Sequence, residues 1–308
     1  MVKSVLCIGA TLIDELYFCE TTIVSHSSNP AKKLSSVGGV VSNIVQHLAL
    51  LGFQPSLITA LGNDSDANQI KQHFDTIGVS TSESLTVEGS SGKYVSVLTP
   101  QGDLYVAVCQ DICSEVLSVS FLESKSDFIN EFDCIIIDTN LDAKTIQWII
   151  DFSKLHQKKL IIEPVSVTKG SKLAELDLKG VFMITPNEEE LKAIATIAST
   201  EEIAMVTHLQ KRGVENVWVR KGDQGSVMYD NDQIISLKVP SITVQDSTGA
   251  GDAALAAWVF GHLQKESALT SLQLGHSLAL EVLQIKGAVL STLNVASLYQ
   301  LKNTYYNV

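Results

Sequence analysis

Apolar and polar positions along the chain follow two patterns. In the first, short buried runs alternate with amphipathic stretches. Val2 to Ala10 is a short apolar run, broken only by Lys3 and Ser4, that closes around Gly9, which predicts a central strand. Val41, Ile44, Val45, Leu48 and Leu51 recur at helical spacing and stop at Gly52. Ser56 to Leu61 is another apolar run, and Asp64 to Ile77 reads as a helix ended by Gly78. The same style returns later, with strands expected at Cys134 to Ile137, Leu160 to Glu163, Val181 to Ile184, Val217 to Arg220, Ser226 to Tyr229 and Gln233 to Leu237. Helices are expected at Ala143 to His156, Asn187 to Ala198 and Glu201 to Arg212, and the chain is mostly helical from Gly249. Such alternation implies a largely parallel sheet covered on both faces.

The second pattern has period two. Glu83 to Val108 alternates apolar and polar residues between turn signals at Gly89-Ser90-Ser91-Gly92 and Pro100-Gln101-Gly102-Asp103, as antiparallel hairpins do. Leu12 to Leu34 is also strand-like, with a Ser-Ser-Asn-Pro turn at Ser27 to Pro30. These two stretches can pair as one small sheet outside the main body.

Composition narrows the classes. With 308 residues, 45% hydrophobic and 18% charged, the chain can bury a sizeable core. A net charge of −12 without any Lys/Arg-rich run excludes a duplex-binding face, so no nucleic-acid partner is expected. No apolar run approaches the roughly 20 residues of a membrane span. The first apolar stretch is too short for a secretory signal, giving the expectation of a cytoplasmic protein. Five cysteines, an odd number in a chain this long, argue against a disulfide framework. The seven histidines show no metal-ligand spacing.

The sharpest chemical signal is Asp246-Ser247-Thr248-Gly249-Ala250-Gly251-Asp252, followed by the apolar run Ala253 to Phe260. A helix starting here would turn unpaired amides and the positive end of its dipole toward an anion. Asp252, in the first turn, would be placed to take a proton from an attacking hydroxyl. Taken alone, a glycine-bearing turn with an acidic cap would look the same. A second signal is Gly38-Gly39-Val40-Val41-Ser42-Asn43, where two glycines allow close ligand approach and Asn43 offers a donor and an acceptor to hydroxyls. Asn187 and Glu190 are three apart on one helical face. They suit either a metal-organising pair or a dipole-favoured helix start.

Together these blocks, with Gly9, Asp14, Asn187-Glu188-Glu189-Glu190 and Lys221-Gly222-Asp223-Gln224-Gly225, resemble in order and spacing the signatures of the PfkB (ribokinase) family of carbohydrate kinases. The resemblance covers the whole chain. It implies an α/β, ribokinase-like three-layer sandwich with a mostly parallel central sheet and a small β-sheet lid. The large nucleotide-binding domain would comprise residues 1–11, 35–83 and 113–308, and the lid residues 12–34 and 84–112. The implied reaction passes the γ-phosphate of ATP, with Mg²⁺, to a hydroxyl of a small sugar or nucleoside. Carried over by position, Asp252 matches the catalytic base and Gly249, Ala250 and Gly251 the anion hole. Asp14, Gly38, Gly39 and Asn43 match the sugar contacts. Asn187 and Glu190 match the motif that organises metal, largely indirectly. Arg220, Gly222, Gly225, Thr248 and Gly287 fall in the nucleotide site. Asp246, with Thr248, lies where some members hold a monovalent cation such as K⁺. Dimerisation through the lid is left open, as is a non-catalytic sugar-binding regulator on the same fold, against which the intact Asp252 block argues.

The departures from the family pattern are Leu12, Val41, Val45, Glu163, Arg220 and Trp258. Arg220 stands where Thr or Ser is usual, and Glu163 where Asp-Pro is commoner. Three stretches, Ser28-Asn29-Pro30, Asn43 to Gly52 and Glu163-Pro164-Val165-Ser166, look closer to the bacterial members that act on pseudouridine than to ribokinases or fructose kinases. The expected acceptor is therefore the ribose 5′-hydroxyl of pseudouridine, with adenosine, another nucleoside or ribose as rivals. A buried base needs its donor and acceptor edge paired, and Asn29, Lys93 and Asp111 are the candidates.

Overall fold

The computed structural model describes residues 5–230 and 233–306, so Val2 to Ser4 of the first apolar run lie outside the described residues. The first half of the chain forms β1 (Val5–Ile8), β2 (Leu12–Cys19), β3 (Ala31–Gly38), α1 (Val40–Leu50), β4 (Ser56–Ile58), β5 (Ala60–Leu61), α2 (Ser65–Thr76), β6 (Leu85–Thr86), β7 (Lys93–Leu98) and β8 (Leu104–Gln110). Three short helices follow, α3 (Cys113–Val116), α4 (Val119–Glu123) and α5 (Ser126–Ile129). Next come β9 (Cys134–Asp138), α6 (Ala143–Leu155), β10 (Lys159–Glu163), α7 (Val167–Gly170), β11 (Val181–Ile184), α8 (Glu188–Ala195) and α9 (Glu202–Lys211). The rest is β12 (Asn216–Arg220), β13 (Ser226–Tyr229), β14 (Ile234–Leu237), α10 (Ala250–Leu263), α11 (Ala268–Val282) and α12 (Val295–Tyr306).

An eight-stranded sheet runs in the order β14-β13-β12-β11-β10-β9-β1-β4. It is parallel from β4 to β12 and antiparallel at the β12–β13–β14 edge. Its central strands are apolar between their ends because both faces are covered. Val5 and Cys7 of β1 point into one hydrophobic cluster with α1, α2, α10 and α11, while Leu6 and Ile8 point into the other with α6, α8 and α9. Ile136 and its neighbours Ile135 and Ile137 divide in the same way. The architecture is the expected ribokinase-like sandwich with helices on both faces.

The period-two segments meet in a second, four-stranded sheet of order β3-β2-β7-β8. Its β3 runs on to Gly38, past the expected limit at Leu34, because every residue of β2 from Leu12 to Cys19 finds a partner there. The sheet is joined to the body where β1 hands over to β2 and β3 to α1. A further tie is ionic: Lys93 of β7 bridges Glu15 of β2 at 3.1 Å and Asp66 of α2 at 2.9 Å. Helix α8 stops at Ala195, short of the expected Ala198, because Thr196 takes a left-handed conformation with φ 49° and ends it. Among the described residues no helix is long and apolar enough to cross a membrane.

The two-sided burial of the sheet gives a stability expectation. Ile136→Ala, at a fully buried position of β9, should lose about 2–5 kcal/mol in urea unfolding. Leu155→Ala, at an exposed position of α6, should change stability by less than about 0.5 kcal/mol. Equal effects at both positions would contradict the three-layer core.

Candidate active site

Helix α10 begins without a side-chain cap: its N-cap is Gly249, left-handed at φ 76°. The first amides of the helix therefore remain available to a ligand. A Cβ on Gly249 would also overlap Ala288 of the passing C-terminal loop. Asp252 sits in the first turn and is only 8% exposed. Its Oδ2 accepts a 2.8 Å hydrogen bond from Nδ2 of Asn43 in the first turn of α1. Burial pushes the Asp252 carboxyl up to about 7, and the nearby Glu163 and Asp138 carboxylates act in the same direction, against the Asn43 hydrogen bond and the Arg220 charge. Oδ1 of buried Asn43 has no partner among the described residues. An orphaned acceptor beside the carboxylate suits a hydroxyl that donates to it.

Asp14 lies on β2 against Gly38, opposite Ser36 of β3. Gly39, at φ 103°, lets the chain turn into α1 where any Cβ would overlap the Ala10 carbonyl. The Asp14 carboxylate has no hydrogen-bond partner among the described residues, and burial pushes it up to about 6. The small sheet thus offers an unpaired carboxylate on the side where α1 carries Asn43.

The neighbours of Asp14 follow from strand alternation. Tyr94 pairs with Asp14 across β2–β7, and Cys109 pairs with Tyr94 across β7–β8, so all three share a face. Asp111, just past β8, accepts from the Cys113 amide at 2.9 Å and lies 3.9 Å from Lys169 Nζ. Lys169 in turn donates to Oδ1 of buried Asn140. Asp138, fully buried at the end of β9, accepts from the Ala10 and Asn140 amides. Lys93 shares the opposite face with Glu15, held in its two ion pairs. Asn29 closes its own turn through Val24 and Ser27, beyond the far end of the β2–β3 hairpin. Of the three residues expected at a base, the structure brings Asp111 to the Asp14 side and leaves Asn29 and Lys93 apart from it.

On the other side of Asp252 lies a cavity of about 880 Å³. Ala250, Gly251 and Asp252 form one wall, and Asn187, Glu190, Arg220, Gly222 and Gly225 another. Val239, Ile242, Leu280 and Leu283 add apolar lining. Asn187 and Glu190 form a reciprocal cap at the start of α8: Asn187 Oδ1 accepts from the Glu190 amide and Glu190 Oε2 from the Asn187 amide, both at 2.9 Å. Asp246 Oδ1 accepts from the Thr248 amide at 2.9 Å and Oδ2 from the Gly287 amide at 3.1 Å, so the carboxylate draws these two loops together. Two departures from the family pattern meet here. Arg220 Nη2 lies 2.6 Å from both oxygens of Glu163 and also donates to the Thr185 carbonyl. Their positions at the ends of strands β10 and β12 are a signal that the sequence contains, since both residues close apolar strand runs.

The profile of the pfkB family of carbohydrate kinases matches residues 2–294, and the chain belongs to that family. Its relatives include the pseudouridine kinase of Escherichia coli (strain K12), 29% identical over 305 residues and 96% of each chain. A pseudouridine kinase of Arabidopsis thaliana is 28% identical over 190 residues, 61% of this chain and 49% of that one. Among solved structures, Arabidopsis thaliana ribokinase complexed with ribose and ATP superposes with a TM-score of 0.83 at 19% identity, over 98% of this chain and 99% of that one. A putative ribokinase II from E. coli in complex with ATP and Mg²⁺ gives 0.83 at 15%, over the same shares of each chain. The protein is thus a sugar or nucleoside kinase, a phosphotransferase acting on a small molecule.

The contact between Gly38 and Asp14 yields a test. Gly38→Ala would put a methyl group into the Asp14 carboxylate. The expected outcome is a KM for the acceptor raised at least about tenfold, the equivalent of one charged hydrogen bond of ~1.5 kcal/mol, with KM for ATP nearly unchanged. An equal rise in both would remove Asp14 from the acceptor side.

Proposed function

We propose that this kinase transfers the γ-phosphoryl group of ATP to the 5′-hydroxyl of a nucleoside ribose, with pseudouridine as its preferred acceptor. The observation that carries the reading is the buried Asp252 at the uncapped start of α10, tied to an Asn43 whose other polar atom is unpartnered. The full-length likeness to a pseudouridine kinase supports the choice of acceptor. So does the polar cluster of Asp111, Asn140 and Lys169, which extends from the Asp14 side beyond what a pentose alone would pair.

In this reading Asp14 and Asn43 bind ribose hydroxyls, and Gly38 and Gly39 let the sugar approach the backbone. Asp252 accepts the proton of the 5′-hydroxyl as that oxygen attacks phosphorus. The Gly249, Ala250 and Gly251 amides, with the α10 dipole, take up the charge that develops on the phosphoryl oxygens. The apolar lining of the cavity, with Val239 and Leu283, holds the adenine. The small sheet acts as the lid that keeps water from the transfer. The donor set fits a metal ion carried by phosphates more than one caged by protein. Among the described residues no three His, Cys, Asp or Glu side chains converge as ligands, and Glu190 keeps only Oε1 outside its cap. Bound Mg²⁺ would neutralise phosphate charge there, with Asn187 and Glu190 orienting its water.

Three outcomes follow. Asp252→Asn keeps the shape and loses the base, so it should fold, bind ATP and lose about 10²–10⁴-fold in kcat; turnover within a few-fold of the parent would refute the role. Because only the carboxylate form accepts a proton, and burial raises the Asp252 pKa to about 7, kcat/KM should climb with pH through that value and level off above it. A profile flat from pH 6 to 8 would contradict this. In a kinetic panel with Mg-ATP, pseudouridine should show a higher kcat/KM than uridine, adenosine, ribose or fructose, because a site pairing its free N1–H leaves an acceptor unsatisfied when uridine binds. Adenosine or ribose as the best acceptor would overturn the pseudouridine choice.

A further inference from the structure

A protein of net charge −12 must admit the triphosphate of ATP to a cavity walled by the carboxylates of Glu163, Glu190, Asp223 and Asp252. Among the described residues lining that cavity, Arg220 is the single side chain with a fixed positive charge. Its attachment is one-sided. Nη2 carries all of its hydrogen bonds, to both Glu163 oxygens and to the Thr185 carbonyl. Nη1 has no acceptor among the described residues and packs against Gly251, where a Cβ would overlap it. Glu163 is anchored from behind, since the Thr185 hydroxyl donates to its Oε2. The pair is therefore an oriented dipole, with its anion sunk at the end of β10 and its cation turned toward the amide-rich turn and Asp252. Apolar residues of similar volume would join β10 to β12 without the desolvation cost of two buried charges, so strand packing alone does not account for an ion pair at this place.

We propose that Arg220 is a catalytic residue of the phosphoryl transfer, its Nη1 edge donating to the phosphate oxygens at the transfer point, and that Glu163 is the positioning residue that aims it. The inference rests on the cavity beside Asp252 being the nucleotide site. In the step itself the acceptor oxygen forms its bond to the γ-phosphorus while the bond from that phosphorus to the bridging oxygen breaks. The hydroxyl proton passes to Asp252, the electron pair of the broken bond goes to the β-phosphate of ADP, and Arg220 keeps its protons throughout. A guanidinium suits this task because one of its nitrogens can be held by Glu163 while another donates to phosphate, and its charge does not depend on pH. The hydroxyl of Thr or Ser at the same position would supply one donor and no charge.

The test uses the full chain. Arg220→Gln, Arg220→Lys, Arg220→Ala and Glu163→Gln are compared with the parent and with Asp252→Asn for kcat, for both KM values, and for calorimetric binding of a non-hydrolysable ATP analogue and of adenosine. Arg220→Gln should lower kcat by about 10²–10³-fold, as loss of one preorganised donor does. It should also weaken the ATP analogue while leaving adenosine affinity and acceptor KM within a few-fold. Arg220→Lys, which keeps the charge and loses the fork, should fall between parent and Arg220→Gln. Added guanidinium ion should restore part of the activity of Arg220→Ala, a rescue that a purely structural role would not give. Glu163→Gln should lower kcat less than Arg220→Gln and leave adenosine affinity intact. Turnover of Arg220→Gln within threefold of the parent, equal weakening of adenosine and the ATP analogue, or absence of rescue would each overturn the proposal. If Asp252→Asn is inactive while Arg220→Gln is active, the arginine role alone falls. If Asp252→Asn is fully active, the nucleotide-site reading falls and takes this inference with it.

Discussion

The hydrogen bond from Asn43 to Asp252 is the contact around which the site is assembled. It joins residues 209 apart in sequence and ties the first turn of α1 to the first turn of α10. Opposing influences meet on that carboxylate, the charge of Arg220 among them. The dipole of α10 favours its charge by roughly 0.3–1 kcal/mol, and a hydrogen bond to a charged group adds about 1.5–3 kcal/mol. Burial, helped by the Glu163 and Asp138 carboxylates, opposes these and prevails, pushing the carboxyl up to about 7. The balance places Asp252 where a proton acceptor works best at neutral pH. Only a rigid frame can sustain it, and α10 is buried nearly all round, with Gly261 pressed against Ser271 of α11 and Gly275 against Ala254.

That frame explains why residues from the whole length of the chain converge at one end of the large sheet. Parallel strands joined by helices deliver their carboxyl ends to the same edge. Asp138 ends β9, Glu163 ends β10 and Arg220 ends β12, while Thr185 directly follows β11. Glu163 and Arg220 look like two unrelated oddities in the sequence, yet they are a single unit bridging over β11. A substitution at one without the other would leave a buried charge unpaired, which costs more than the pair itself.

The division into a large covered sheet and a small one, most of the longer helices and the Asp246 to Asp252 turn were legible in the sequence because each rests on local physics: period-two or helical spacing, and a glycine where the chain needs a left-handed start. Gly38 and Gly39 were legible for the same reason. The partners of long polar side chains were not. Lys93 and Asp111 look equivalent as residues flanking a hairpin, but strand parity sends Lys93 to Glu15 and Asp66 while Asp111 reaches Lys169. Asn29 looks like a free amide beside a proline, and in the fold it closes its own turn. Tyr94 and Cys109 carry no motif, and only the β2–β7–β8 register shows that they stand beside Asp14.

The register also bears on how the acceptor is chosen. The ion pairs of Lys93 lie on one face of the small sheet and fasten it to α2, while Asp14 lies on the other with its carboxylate unpaired. In the proposed reading one strand pair thus both holds the sheet in place and presents a group for hydroxyls, with alternation keeping the two tasks from interfering. A free sugar would satisfy Asp14 and Asn43 and end there. Asp111, Lys169 and Asn140 continue the polar surface past them, already partnered with one another, so a ligand that reaches them must offer hydrogen bonds at least as good as those it displaces. In the proposed reading a nucleobase edge with alternating donors and acceptors meets that condition. In that reading discrimination among acceptors falls to the β9 and α7 side of the site, while Asp252 would serve every hydroxyl brought to it in the same way.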